Sequence, residues 1–264
     1  MKIVLISSEP YQHDESPMLG VFQKDQFEAL LAHGGKVSVL SPGGRSLRYA
    51  LALKTNNDTC ELKGVYRNNG FNFTPRFPLI EKSVFIYNGL KLFNRLVTVE
   101  GMPDVIHAHN ALFAGELARL ISKRWSIPYV ITEHSSWVLK KHYQGKSKTL
   151  IERVYHNASQ VIAVSSNLAK TISSEYFNGE IQVVPNIIPR NFCIDINTIM
   201  KKREQLSHVE FRIINVASLD NNKNQVGIIK AFAKFYQSVP NAKLILVGDG
   251  PSKGALLALI KELD

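Results

Sequence analysis

The chain is poor in cysteine and has no long apolar run. Cys60 and Cys193 are the only cysteines among 264 residues, so neither a disulfide framework nor a cysteine metal-ligand spacing can be built, and a reducing compartment is expected. No segment approaches the roughly 20 apolar residues that span a bilayer. The first apolar run, residues 2–7, is too short for a signal peptide and meets Glu9 and Pro10 at once, so it predicts a buried strand. These absences predict a cytoplasmic protein, soluble or peripheral at a membrane, with no readable metal site.

Acidic residues are scarce relative to basic ones. The chain has 22 Asp and Glu against 32 Lys and Arg, which gives a formal net charge of +10. An excess of this size favours anionic partners such as nucleotide phosphates, nucleic acid or an acidic membrane surface. No nucleic-acid-binding module and no basic stripe interleaved with aromatic residues is present in the sequence, so nucleic acid is not expected as a partner.

What the chain does contain is a series of short apolar strands that alternate with helices. Near-continuous apolar runs such as Val161-Ile162-Ala163-Val164 suit a sheet covered on both faces. Strands of this kind joined by helices predict an α/β protein with a doubly wound parallel sheet. The irregular residues 43–80 hold two further possible strands, at 62–67 and 71–76. The other predicted strands and helices of this region are Lys2–Ser7, Val21–His33, Lys36–Leu40, Lys82–Val97, Val105–His109, Tyr129–Glu133 and Ile181–Val184.

A second set of strands follows a polar stretch, residues 190–208, that lacks clear periodicity and predicts a linker. Beyond it, a strand from Phe211, a helix, a second strand ending in Gly248-Asp249-Gly250 and a last helix form a βαβα portion. Parallel sheets of this kind usually have about six strands, so a domain at 209–264 that supplies two is incomplete, either as a fragment or as a part that something else completes. The predicted domains are therefore 1–189 and a partial 209–264.

Polar groups follow the ends of several predicted strands, where ligands of open parallel sheets bind. His134 follows an apolar strand and could be a general base or a hydrogen-bond donor to a developing charge; the alternative is a structural histidine that caps the next helix. Gly20 could let the backbone approach a phosphate at a helix N-terminus, or could be a loop glycine with positive φ. His107 and His109 share one face of a strand, so one is expected in the core. His109, nearer the strand end, is predicted to face the site.

Several short motifs occur in a fixed order along nearly the whole chain. They are Gly20-Val21-Phe22 with Gln26 and Ala29-Leu30, Pro103 to His109, Thr132 to Ser135, Ala158 to Ser165, Val183 to Asn186, and Val216 to Leu219 with Lys223, Ala231-Phe232 and Val247 to Pro251. The ordered set resembles glycosyltransferase family 4, a group of retaining enzymes with two facing Rossmann-like domains, the GT-B fold. The resemblance implies an incomplete GT-B protein: a doubly wound Rossmann-like N-terminal domain, then the first βαβα portion of a second Rossmann-like domain.

The resemblance also implies roles for residues at matching positions. His134 would lie beside the transferred sugar as the catalytic residue, and Lys223 would bind the donor phosphates as a compact cation. The chain departs from the family at Ser218, where an Arg is frequent, and at Ile187, where a Gly usually follows Asn186. The family's E-x7-E segment is not in this sequence. From these roles and from positions after the predicted strands, the predicted donor- or phosphate-binding residues are Gly20, Ser218, Lys223 and Gly248, and the predicted acceptor or cleft residues are His109, Asn110, Ser135 and Asn186.

The function implied by the resemblance is sugar transfer from a nucleotide-sugar donor to a glycan or lipid-linked acceptor, in surface polysaccharide or glycolipid assembly. The nucleotide-diphosphate sugar would be the substrate, with no cofactor. Two alternatives stay open: a non-hydrolysing sugar-nucleotide epimerase, which shares this architecture, and an inactive acceptor-domain fragment.

One helix and one loop could contact the inner face of an anionic membrane. The segment Lys82–Val97 carries cations beside apolar residues, and a basic loop lies at 140–148. The alternative is an amphipathic helix that covers the sheet, with a solvated basic loop. The cations in question are Lys82, Lys91 and Arg95 on the helix, and Lys140, Lys141, His142, Lys146 and Lys148 in the loop.

Overall fold

The computed structural model describes residues 1–9, 11, 20–43, 45–46, 63–68, 71–72, 78–189, 192–206 and 211–263. Contacts divide the chain into two compact units, Met1–Arg190 and Asn191–Asp264, which we name the N-terminal unit and the C-terminal unit. Each unit has a parallel sheet of its own. Cys60 and residues 73–76 of one predicted strand lie outside the described residues.

The strands of the N-terminal unit are, in chain order, β1 (Lys2–Ile6), β2 (Lys36–Ser41), β3 (Arg45–Ser46), β4 (Val65–Arg67), β5 (Phe71–Asn72), β6 (Val105–His109), β7 (Tyr129–Glu133), β8 (Gln160–Ala163) and β9 (Ile181–Val183). Seven of them form one sheet whose paired strands are all parallel, in the order β4-β2-β1-β6-β7-β8-β9. The chain runs outward from β1 in one direction through β2 and in the other through β6 and β7, so the order of strands reverses between β1 and β6. The crevice outside the carboxyl ends of two such strands is where open α/β sheets bind ligands. Among the described residues, the two-residue strands β3 and β5 pair only with each other.

Helices connect these strands, as the alternating pattern predicts. The helix predicted at Lys82–Val97 is longer than its apolar pattern and runs from Pro78 to Glu100. Among the described residues, no helix combines the length and apolar character needed to cross a bilayer. The helices of this unit are α1 (Val21–Ala32), α2 (Pro78–Glu100), α3 (Glu116–Trp125), α4 (Ser136–Leu139), α5 (Gly145–His156) and α6 (Ser166–Glu175).

Helix α2 packs its apolar face against the sheet. Phe85, Leu92, Phe93 and Leu96 recur at helical spacing and are buried in the main core. Gly89 lies on the same face, where an added Cβ would come within 2.1 Å of a methyl group of Leu117. The backbones of α2 and α3 therefore pack closely, and these apolar side chains belong to the core and not to the surface.

The C-terminal unit contains a parallel pair, β10 (Phe211–Val216) and β11 (Ala242–Val247), in register from Phe211↔Ala242 to Val216↔Val247. Leu219, Ile229 and Leu256 form its small core. Residues predicted as an aperiodic linker contain a helix, α7 (Ile196–Leu206), so the absence of periodicity there was misread. The remaining helices are α8 (Gln225–Tyr236) and α9 (Lys253–Leu263).

Candidate functional site

The loops after β1 and β6 meet where the strand order reverses. Ser8 follows β1 and Asn110 follows β6, and the Asn110 amide donates a hydrogen bond to the Ser8 hydroxyl over 2.8 Å. The Oδ1 atom of Asn110 accepts a hydrogen bond from the backbone N–H of His134, 2.9 Å away, which follows β7. One side chain thus joins the ends of three strands, and this places Asn110 at the centre of the predicted rim.

The backbone around Asn110 is strained. Asn110, directly before the short irregular turn Ala111–Gly115, has φ 68° and ψ 141°, and Phe113 within that turn has φ 63° and ψ −67°. Residues other than glycine rarely adopt such backbone angles, and each residue that does so costs of order 1–3 kcal/mol. Residues of this kind cluster at functional sites because the surrounding contacts hold them in place. The strain lies beside His134, which supports the rim as the site.

His134 lies at the rim with its imidazole ring stacked on Phe22 of α1, at a centroid distance of 5.8 Å and an interplanar angle of 4°. Its Nε2 atom lies 3.0 Å from Nδ1 of His109. Burial lowers the pKa of His134 to about 4, so the ring is neutral near pH 7. The side chain of Asn186 interacts with this ring and partly opposes the shift, although no hydrogen bond of normal geometry joins them.

His109 and His107 both lie inside the sheet layer. His109 was predicted to face the site, but its side chain is fully buried and reaches the rim only through His134. His107 is buried as well, and its Nε2 lies 2.7 Å from the Thr132 hydroxyl. Burial, reinforced by the neighbouring histidines, lowers the pKa of His109 well below its usual value and that of His107 to about 4. Successive rings of His107, His109, His134 and Phe22 stack into one column.

Glu133 is a buried carboxyl group directly beneath the rim that sequence reasoning did not single out. Its Oε2 accepts hydrogen bonds from the Tyr155 hydroxyl at 2.7 Å and from the N–H of Ala111 at 2.9 Å. Its Oε1 accepts one from the N–H of Ser135 at 2.9 Å. Burial raises the pKa of Glu133, and these hydrogen bonds oppose that rise. A glutamate at the end of an otherwise apolar strand was the available signal, because a buried charge needs several donors.

Gly20 occupies the N-cap position of α1 with φ 68°. The left-handed conformation favours glycine, so the loop-glycine interpretation describes its backbone correctly. Its N–H donates to a carboxylate oxygen of Glu9 over 2.8 Å. A phosphate that used this N–H would have to replace Glu9, and the predicted contact of Gly20 with the donor stays a prediction.

Ser135 caps the short helix α4. Its hydroxyl accepts a hydrogen bond from the N–H of Trp137 over 3.2 Å, as N-cap serines do. The indole of Trp137 is 60% exposed and lies near His142 and Tyr143. The helix-capping alternative raised for His134 therefore applies to its neighbour Ser135, whereas His134 itself contacts other rings.

The C-terminal unit brings its three predicted phosphate-site residues to the carboxyl ends of β10 and β11. Gly248 has φ 148°, and an added Cβ would come within 1.9 Å of the Ala217 carbonyl oxygen, so only glycine fits between the two loops. The Ser218 hydroxyl donates to Asp220 over 2.6 Å, and Asp220 caps the short turn Asn221–Lys223. The Lys223 side chain is exposed at the end of this turn. Ser218 therefore adds no positive charge to the loop and orients an acidic residue there.

Two other features of the described residues concern ligand binding. Within the described part of the chain, no group of three or more His, Cys, Asp or Glu residues could hold a metal ion. A cavity of about 840 Å³ opens at the amino-terminal ends of β1 and β2, between Lys2, Lys36 and Glu100. That end of the sheet is opposite the rim, so this cavity is separate from the candidate site.

Comparison with known proteins identifies the family of each unit. Residues 20–192 match the sequence model of Glycosyltransferase Family 4, and residues 197–264 match that of Glycosyl transferases group 1. The chain is 28% identical to the alpha-monoglucosyldiacylglycerol synthase of Acholeplasma laidlawii over 60% of its own length and 44% of the relative. It is 31% identical to the putative teichuronic acid biosynthesis glycosyltransferase TuaC of Bacillus subtilis, over 58% of its own length and 40% of the relative. The chain therefore spans less than half of these curated relatives.

A solved structure shows the same fold. The Anabaena protein HepE, in complex with UDP, matches all of this chain and 66% of its own, with a TM-score of 0.62 at 19% identity. The predicted fold class, a Rossmann-like unit followed by part of a second one in an incomplete GT-B protein, is confirmed. The matches favour neither the epimerase nor the inactive fragment. Because a family model covers well over half of the chain, the chain belongs to Glycosyltransferase Family 4.

Proposed function

We propose that the protein transfers a sugar from a nucleotide-diphosphate sugar to a glycan or lipid-linked acceptor in surface polysaccharide or glycolipid assembly. The observation that carries this proposal is the rim at the β1/β6 switch point, where Asn110 links Ser8 and His134 beside a strained turn. Two relatives are named for synthesis of an alpha-monoglucosyldiacylglycerol and for teichuronic acid biosynthesis. Their names support the acceptor class without identifying the sugar.

In this proposal His134, Ser135 and Asn186 bind the sugar or acceptor, and Gly20, Ser218, Lys223 and Gly248 contact the donor phosphates. Glu133 is not the nucleophile, because three hydrogen bonds hold its two oxygens inside the unit. Retaining transfer would then depend on positioning and on stabilisation of the departing phosphate. The sugar nucleotide is the substrate in this proposal, and no cofactor is proposed.

Direct measurement of sugar transfer tests the proposal. The protein would be incubated with radiolabelled UDP-glucose or another sugar nucleotide, and with either diacylglycerol vesicles or a polysaccharide acceptor. We expect label in the acceptor fraction for one donor, with and without a chelator. Interconversion of two sugar nucleotides with no acceptor labelling would support the epimerase, and no reaction with any donor would support the inactive fragment.

Lys223 should supply most of the phosphate attraction in the C-terminal unit, because Ser218 carries no charge. Lys223→Ala should weaken UDP binding about tenfold at low salt, consistent with loss of roughly 1.4 kcal/mol from a partly screened charge pair. Isothermal titration calorimetry at low and high salt measures this, and the difference should shrink at high salt. Lys230→Ala removes an exposed cation from α8 as the matched control. Equal UDP binding by Lys223→Ala and the wild type would place the phosphates elsewhere.

We also propose that the protein contacts the cytoplasmic face of an anionic membrane, through a smaller surface than the helix and loop predicted from the sequence. The apolar residues of α2 are largely in the core, and Lys141 of the basic loop is paired with Glu175 over 2.6 Å. The surface proposed for the membrane is the exposed Trp137 together with the basic loop at 140–148, in which Lys146 is exposed.

Co-sedimentation with phosphatidylserine-containing vesicles tests this contact. Binding is expected at low salt and should fall at high salt, because its driving force is electrostatic. Lys146→Glu should weaken low-salt binding severalfold, whereas Lys234→Glu, a charge reversal at an exposed position in the C-terminal unit, should not. Absence of low-salt binding, or binding that salt does not change, would contradict the proposal.

A further inference from the structure

His134 at the rim and His109 beneath it are joined by a hydrogen bond through one ring nitrogen each. The other ring nitrogen of each has no partner among the described residues. Nδ1 of His109 lies 3.0 Å from Nε2 of His134. Nε2 of His109 and Nδ1 of His134 are buried and make no hydrogen bond among the described residues. A hydrogen bond between two imidazoles needs one N–H and one lone pair, so one ring must donate and the other accept.

Both rings are neutral near pH 7, because burial lowers the pKa of each. A neutral imidazole carries one N–H, which leaves two arrangements. If His109 donates from Nδ1, its Nε2 keeps a lone pair and His134 carries its proton on Nδ1. If His134 donates from Nε2, its Nδ1 keeps a lone pair and the proton of His109 is on Nε2.

The surroundings of the two unbonded nitrogens distinguish these arrangements. His109 is fully buried, so the second arrangement leaves an N–H inside the core with no acceptor among the described residues, which is unfavourable. The first arrangement puts the N–H on His134, beside Asn186. The Asn186 side chain raises the pKa of His134, which is the effect of a group that accepts from the ring. Nδ1 of His134 makes no hydrogen bond of normal geometry either, but this ring is only partly buried and interacts with Asn186, so the first arrangement is favoured.

We propose that His109 is a positioning residue: it donates its Nδ1–H to Nε2 of His134 and holds His134 as the neutral tautomer protonated on Nδ1. The stacked Phe22 ring orients the imidazole from its other face. In this tautomer His134 offers a hydrogen-bond donor toward Asn186 or a substrate oxygen, and its basic nitrogen is occupied by His109. The catalytic meaning rests on the proposed function: His134 would donate to an oxygen of the sugar or phosphate and would not take a proton from the acceptor hydroxyl.

Nuclear magnetic resonance of the chain with ¹⁵N-labelled histidine tests the tautomer directly. Long-range ¹H–¹⁵N spectra between about pH 5 and 8 report which nitrogen of each ring is protonated. The wild type should show a single Nδ1–H tautomer at His134. His109→Leu should lose it and give the tautomer mixture of an unconstrained ring. His109→Asn should retain it, because its amide N–H replaces Nδ1–H. His107→Leu alters the same buried strand face without touching this hydrogen bond, so the His134 signal should not change.

An Nε2–H tautomer in the wild type, or a doubly protonated His134 at neutral pH, would overturn the proposal. An unchanged His134 signal in His109→Leu would remove the role of His109. If His109→Leu does not fold, the wild type and His109→Asn still decide the tautomer. The measurement needs no sugar transfer, so its failure and the failure of the proposed function are distinguishable.

Discussion

Acidification from about pH 6.5 to about 4 should lower the free energy of unfolding of the N-terminal unit by about 6 kcal/mol through His107 and His134. Burial lowers the pKa of His107 and of His134 from 6.5 to about 4. As pH falls, the histidines of the unfolded chain take up protons first. The stability that these neutral histidines contribute is therefore fully present above pH 6.5 and is lost as the pH falls toward 4. Each pair of pKa values differs by about 2.5, which corresponds to about 3 kcal/mol per histidine. The lowered pKa of His109 acts in the same direction.

Glu133 reduces this loss. Burial raises its pKa in the folded state, so its protonation on acidification favours the folded state and opposes the histidines. The value of about 6 kcal/mol is the contribution of His107 and His134; Glu133 subtracts from it and His109 adds to it.

Urea unfolding at a series of pH values measures the effect. Both tryptophans, Trp125 and Trp137, lie in the N-terminal unit, so their fluorescence reports on that unit. His107→Gln should reduce the loss by about 3 kcal/mol, because glutamine does not titrate and can still bond the Thr132 hydroxyl. His33→Gln, at an exposed position, should leave the pH dependence unchanged. Stability that stays constant as pH falls from 6.5 would contradict the prediction.

Glu133→Ala should destabilise the N-terminal unit by about 3–5 kcal/mol, because it leaves several buried donors without an acceptor. The donors are the Tyr155 hydroxyl and the N–H groups of Ala111 and Ser135. These three groups come from α5, the strained turn and the rim. The substitution should therefore also loosen the segment that holds Asn110 and His134, which the NMR spectra of the histidines would show.

Two variants calibrate this result in the same urea experiment. Tyr155→Phe removes a single donor and should cost about 1 kcal/mol. Glu180→Ala, at an exposed position, should change stability by less than about 0.5 kcal/mol. A loss below about 1 kcal/mol for Glu133→Ala would show that the carboxyl group does not organise the rim.

The predicted strands are largely correct because each has a continuous apolar run, which needs a covered sheet wherever it folds. The helix at Ile196–Leu206 was missed because its sequence has no clear apolar face. Helix α2 extends past its predicted ends, since packing against the sheet and α3 supports residues that the apolar pattern alone does not require.

The amino-acid sequence by itself determined the fold class, the family and the place of His134 after an apolar strand, because apolar runs and motif order are local properties of the chain. Only the tertiary structure decided that His109 is buried beneath His134, that Glu133 receives three hydrogen bonds, and that Ser8 and Asn110 meet. Those facts depend on strand order and register. Residues about 25 to 100 positions apart come into contact through the β1–β6–β7 pairings, and no local pattern encodes such distances.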